Sequence, residues 1–322
     1  MRIGPLLFLV PLAVAAFLAS LVLPASSIAQ LFEQDGALAL AVLVDLRLPR
    51  ALLGLIYGAV LGASGAAIQA LFANPLASPD LTGTTSGAAL GAVLTAYIFG
   101  LSAPLALSAG AVAGALGALL LLLALAGPRA ETATLLLAGL AISALAGALT
   151  TLALALAPSP FAFYDAYEWL MGSLVDRSLS QAAFAGVPAL LTILLLIRTR
   201  AALDSLTLGE EVAQSLGHDI GRLRRRIVVL TAIGVGSSVA ICGAIGFIGL
   251  VAPIFARRLT GGHPGRAILP ASLIGSTLLL AADLAARTAP LGRTLPIGVV
   301  TALLGAPFFL WLVAHMRWRF SR

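Results

Sequence analysis

Apolar runs of roughly bilayer length recur from one end of this chain to the other, and nothing else constrains its fold as strongly. A helix crossing hydrocarbon needs about 20 apolar residues. Backbone polar groups find no partners in lipid, so only helices and closed barrels can cross. Ten runs are legible, at 3–23, 51–72, 84–99, 103–126, 134–156, 183–197, 227–242, 245–256, 268–283 and 296–313. The sixth and eighth are short for a full crossing, which predicts that they bend or lie partly in the interface. With 60% of 322 residues hydrophobic and 10% charged, and a mean hydropathy of +1.07, no soluble domain could hide this much apolar surface. The expectation is a single all-α polytopic membrane domain over 1–322 with about ten transmembrane helices, in contact with membrane lipid.

All 19 basic residues are arginine. With the N-terminus inside, ten crossings return the C-terminus inside. The inner loops and ends then hold Arg2, Arg129, Arg198, Arg200, Arg222, Arg224, Arg225, Arg226, Arg257, Arg258, Arg266, Arg317, Arg319 and Arg322, against Arg47, Arg50, Arg177, Arg287 and Arg293 outside. That bias of 14 to 5 follows the positive-inside rule. It accounts for the net charge of +6 without a nucleic-acid partner. The first run has an arginine before it and Ser27-Ile28-Ala29 after it, as a signal peptide would. Its length and the nine runs that follow favour an uncleaved first helix.

One charged island interrupts the apolar pattern: LGEEVAQSLGHDIGRLRRR, 208–226. It opens with Glu210 and Glu211 and ends in an arginine cluster. The topology puts it in the cytoplasm, where it offers a soluble partner its main polar handle; Ser215 and Gly217 would let a backbone approach closely. The chain shows no energy source of its own. Without lysine it cannot carry a Walker A P-loop. The interiors of the runs are nearly free of the ionisable groups that ion-coupled carriers keep in the bilayer; Asp283 and Arg287, at a helix end, come closest. Energy is therefore expected through the island. An ATP-independent carrier or channel is the alternative.

Other chemistry fares poorly. Cys242 is the single cysteine, so an intrachain disulfide or thiolate metal cluster is excluded. Gly62-Ala63-Ser64-Gly65 resembles the motif of an intramembrane serine protease, yet a serine nucleophile needs a base in reach. His218, His263 and His315 all belong to cytoplasmic loops or the C-terminal end. The glycines at 54, 58, 62 and 65 read better as a face for close helix packing. No catalytic or metal-ligating set is expected. In the loop 158–178, Phe161, Phe163, Tyr164, Tyr167 and Trp169 read as an interfacial aromatic belt. Pro75, Pro79 and Gly83 mark an irregular break between the second and third runs that lines a cavity or lies under protein.

Five blocks together resemble the permease subunit of the ABC importers for iron–siderophores, haem and cobalamin. They are Arg47-Leu48-Pro49-Arg50 leading into GAVLGASGAAIQALFANPLASPDLTGTTSGAALGA (58–92), LGEEVAQSLG (208–217), GAIGFIGLVAP (243–253), ADLAAR (282–287) and LPIGVVTALLGAPFFLWL (295–312). The resemblance implies a type II ABC importer permease fold, paired with a second copy of itself around the substrate path. It also implies two cytoplasmic ABC ATPase subunits, which hold the ATP and magnesium, and a periplasmic or lipid-anchored binding protein. The chain itself would bind no cofactor. The cargo would be an iron–siderophore first, with haem or a corrinoid next, crossing a bacterial inner membrane. By the same likeness, a coupling region at about 204–226 meets the ATPase through Leu208, Gly209, Glu210, Glu211, Ala213, Ser215, Leu216 and Gly217. Arg47, Arg50 and Arg287 pair with acids of the binding protein. Ser143, Gly147, Thr150 and Thr151 of the fifth run line the path. Two positions depart from the family pattern: Ile254, where histidine is common, and Thr294, where glutamate is common.

Overall fold

The computed structural model describes residues 4–101, 103–127, 132–157, 159–288 and 295–320. Arg2, Arg129, Pro158, Arg293, Thr294 and Arg322 lie outside them. The described residues form helices joined by short turns, with no strand. In order they are α1 (Gly4–Val22), α2 (Ala25–Gln34), α3 (Gly36–Ala41), α4 (Leu48–Leu71), α5 (Thr84–Tyr97), α6 (Pro104–Ala126), α7 (Thr132–Ala155), α8 (Pro160–Leu170) and α9 (Leu179–Ile197). Then follow α10 (Arg200–Ser205), α11 (Glu210–Ser215), α12 (Ile220–Cys242), α13 (Ile248–Leu259), α14 (Pro264–Thr288) and α15 (Ile297–Phe320). A π-helical stretch, Val42–Arg47, joins α3 to α4.

Each of the ten apolar runs coincides with a helix. Among the described residues, seven helical stretches are long and apolar enough to cross a membrane by themselves. The lengths differ from expectation in two places. The sixth run is a full 19-residue helix, because Ser178 and Gln181 form a reciprocal capping box that starts α9 four residues early. The third run is the short one instead: α5 has 14 residues, and α13, the eighth, has 12.

Both short helices meet irregular backbone inside the bundle. A Cβ on Gly65 of α4 would run into Gly249, and one on Gly249 would lie 2.8 Å from the Pro79 ring. Pro79 is thus level with Gly65, six residues before α4 ends, so the chain after α4 has folded back into the body before α5 begins. That re-entrant segment is covered by protein: Ala77 is fully buried and Thr82 nearly so, as lipid-depth backbone outside a helix requires. Before α13, residues 243–247 are non-helical, and their neighbours supply the missing partners. The Tyr57 hydroxyl donates to the Gly243 carbonyl (3.1 Å), and Ser173 N donates to the Cys242 carbonyl (2.8 Å).

Small residues let the helices touch backbone to backbone. Gly58 faces Gly275, Gly62 faces Ala271 and Gly65 faces Gly249, while Gly87 and Gly91 of α5 meet Gly114 and Gly110 of α6. The spacing on α4 is therefore a packing face. Ser64 is fully buried within it.

Two helical stretches were not expected. The segment after α1 folds into α2 and α3, with Asp35 accepting from Ala37 N and Leu38 N as the cap between them. The aromatic loop contains α8, on which the Phe163 and Tyr167 rings stack at 6.0 Å and Tyr164 and Tyr167 are exposed.

Candidate docking sites on opposite faces

The charged island and the arginine trio occupy opposite faces of the bundle, and α14 reaches both. At the island, α10 and α11 are one-turn helices joined through a 3-10 turn, Leu206–Leu208. Gly209 has φ 99° and Gly217 φ 88°, the left-handed region that favours glycine. Gly217 N donates to the Gln214 carbonyl and His218 N to the Ala213 carbonyl, a glycine-terminated helix end of the Schellman type. Gly217 therefore shapes the segment's backbone; a Cβ there would meet open space.

Of the residues assigned to coupling, Ala213 is fully buried and anchors α11 to the bundle. Gly209, Glu210, Glu211, Ser215 and Gly217 are exposed. So are Leu208 at 64% and Leu216 at 60%, joined by Val212 at 44%. Val212, flanked by Glu211 and the buried Ala213, extends the apolar surface beyond the charges that make the island legible in the sequence; its spacing of four from both Leu208 and Leu216 is the signal for it. Glu210 forms an ion pair with Arg224 of α12, and Asp219 caps α12 by accepting from Arg222 N (2.8 Å). The result is a firmly seated knob with an apolar tip and an acidic rim.

On the far face, Asp283 of α14 is 1% exposed and holds two arginines. Arg50 of α4 donates from Nη2 to its Oδ1 (2.7 Å) and from Nε (2.9 Å). Arg287 pairs with Oδ2 at 3.0 Å and donates to the Ser20 hydroxyl (2.8 Å) and carbonyl (3.2 Å). Arg47 Nη1 donates to the carbonyls of Leu21 and Val22 (2.9 Å each) and Leu23 (3.2 Å). Guanidiniums at the last carbonyls of α1 satisfy orphan acceptors and complement the helix dipole. The three arginines are thus gathered by the fold itself, more enclosed than exposed docking charges would be. They still line a cavity of about 230 Å³ with Pro24, Val42, Leu46, Val175 and Asp176. Three cations against Asp283 and Asp176 leave that cavity positive.

On α7, Ser143, Gly147 and Thr151 share one side, four residues apart, and Gly147 and Thr151 are exposed. Thr150 lies apart: it is 8% exposed and its hydroxyl donates to the Ala146 carbonyl (2.8 Å). Ser143 Oγ donates to the Asp80 carbonyl of the re-entrant segment (3.3 Å). Asp80 itself, whose Oδ1 accepts from the Thr85 hydroxyl (2.9 Å), is an acid within the bundle that lies between two apolar runs, where hydropathy alone does not reveal it. Among the described residues no cluster of His, Cys, Asp and Glu could hold a metal ion. Ile254 on α13 is partly buried.

Comparison with known proteins agrees with this architecture. The FecCD transport family profile matches residues 6–315. The vitamin B12 import system permease protein BtuC of Vibrio cholerae serotype O1 is 41% identical over 282 residues, covering 84% of this chain and 82% of that protein. BtuC of Salmonella typhimurium is 41% identical over 273 residues, with the same coverage. A solved inward-facing structure of a metal-chelate type ABC transporter superposes with a TM-score of 0.85 at 32% identity, covering 95% of this chain and 97% of that one. The chain belongs to the FecCD transport family and is a multi-pass membrane permease of the ABC importer class.

Proposed function

We propose that two copies of this chain form the pore of an importer in a bacterial inner membrane, with both termini cytoplasmic. Two ABC ATPase subunits grip α11 from the cytoplasm. A periplasmic or lipid-anchored binding protein docks over the arginine cavity. ATP and magnesium belong to the ATPase. The cargo is a bulky metal chelate, and the likeness to two BtuC proteins puts cobalamin ahead of a ferric siderophore or haem.

The observation that carries this reading is the exposed row Leu208, Val212 and Leu216 on a short, rigidly capped segment. Large apolar side chains presented to water in such a row mark a partner surface, and a one-turn helix with an acidic rim suits a groove in a soluble protein. On the path, the side of α7 bearing Ser143, Gly147 and Thr151 faces the second copy. Its weakly polar surface lets a large chelate pass without holding it.

Uptake into proteoliposomes containing the chain, its ATPase and its binding protein tests the cargo. Radiolabelled cobalamin is expected to accumulate with ATP and to be unaffected by excess ferric siderophore or haem. Accumulation of either competitor instead would reassign it.

A further inference from the structure

We propose that Asp204 is a positioning residue that locks the cytoplasmic segment onto α14, so that ATPase-driven movement reaches the arginine cavity through α14; the proposal rests on the ATPase-driven reading above. Asp204 lies on α10, just ahead of the surface that meets the ATPase. Its Oδ1 accepts from Gly265 N at 2.8 Å, in the first turn of the 25-residue α14. A carboxylate there satisfies an orphan donor and complements the positive end of the helix dipole. Helix caps normally come from the residue next door; this one crosses 61 positions of sequence.

The joint is closed from both sides. A Cβ on Gly265 would run into the Arg200 carbonyl, so α10 and the start of α14 touch backbone to backbone. Leu203 is fully buried and Ser205 is 7% exposed. Thus α10 belongs to the bundle through α14, while α11 presents its apolar tip outward.

From that joint α14 runs about 37 Å at 1.5 Å per residue. Pro270 interrupts its hydrogen-bond ladder, but the next residue, Ala271, is clamped against Gly62 of α4. Gly275 against Gly58 continues the clamp, and the Ser276 hydroxyl donates to the Leu55 carbonyl at 2.7 Å. At the far end Asp283 and Arg287 hold the cavity together with Arg50. One stiffened pair, α4 with α14, therefore has the Asp204 joint at one end and the docking arginines at the other.

The test uses the full complex reconstituted with its ATPase and binding protein. Wild type must first show ATP-dependent uptake; its absence would refute the importer reading itself rather than the role of Asp204. In Asp204→Ala the ATPase still co-purifies, but uptake per ATP hydrolysed falls about tenfold, within the usual range of coupling between sites. Asp204→Asn, whose amide oxygen can still accept from Gly265 N, recovers it. Wild-type uptake per ATP in Asp204→Ala, loss of the ATPase together with uptake, or failure of Asn to rescue would each overturn the proposal. If Asp204→Ala does not fold, spin labels at Arg200→Cys and Arg266→Cys decide the matter with Asp204 intact. Their separation is expected to stay the same when ATP is trapped, and a shifted separation would show that the joint does not move as one piece.

Discussion

Asp283 joins three helices at one end of the bundle through a single carboxylate. It is buried, and its two oxygens pair with Arg50 and Arg287, which with Arg47 tie together α1, α4 and α14. Removing one partner of a buried ion pair costs about 3–5 kcal/mol, because the remaining charges lose their compensation. Asp283→Ala should therefore lower the midpoint of thermal unfolding in detergent markedly, whereas Asp45→Ala, at an exposed position, should leave it nearly unchanged. Equal midpoints would remove the cluster from the account of stability. Arg47 probes docking directly: it lines the cavity, and its guanidinium is held there by the carbonyls that end α1. Arg47→Glu should slow association with the binding protein at low salt and matter less as salt screens the field; an unchanged rate would contradict the docking role. The sequence placed these arginines on one face by topology. It could not show that an acid 233 residues from Arg50 gathers them, because pairing across helices leaves no periodic trace.

At the scale of elements, close approach of small residues holds the bundle, and the glycines divide into two kinds. Gly58, Gly62 and Gly65 lie against backbone of α13 and α14, whereas Gly117 and Gly147 have nothing within 4 Å. Gly62→Leu should force α4 from α14 and yield a chain that does not run as a single species in gel filtration. Gly117→Ala, with open space at its Cβ, should behave as wild type. The reverse pattern would mean that the packing described here is wrong. Each of the ten apolar runs coincides with a helix, seven helical stretches among the described residues being long and apolar enough to cross a membrane, and the close-packing face of α4 was legible as a glycine spacing. The lengths of the third and sixth were not. A capping box at Ser178 lengthens one helix, and a re-entrant segment ending at Gly83 shortens the other; the first is a local side-chain choice, the second a tertiary event. The helices at 25–41 and 160–170 escaped notice because they are short and stand outside the runs that composition picks out.

Across the whole molecule, two unlike surfaces face away from each other with an almost uncharged body between them. One is a capped knob with an apolar tip, the other a positive cavity closed by buried ion pairs, and α14 touches both. On the proposed reading, a chain with no Walker lysine receives its driving energy from a partner, and the knob is the handle through which it does so. The most direct measurement compares ATP-dependent uptake in proteoliposomes for wild type and a Leu208→Asp, Leu216→Asp variant, each supplied with the ATPase and the binding protein. The account predicts uptake only when ATPase and ATP are both present. It predicts that the variant folds and inserts normally yet neither retains the ATPase nor transports. Uptake by the chain without ATPase or ATP, or full ATP-dependent transport by the variant, would contradict it.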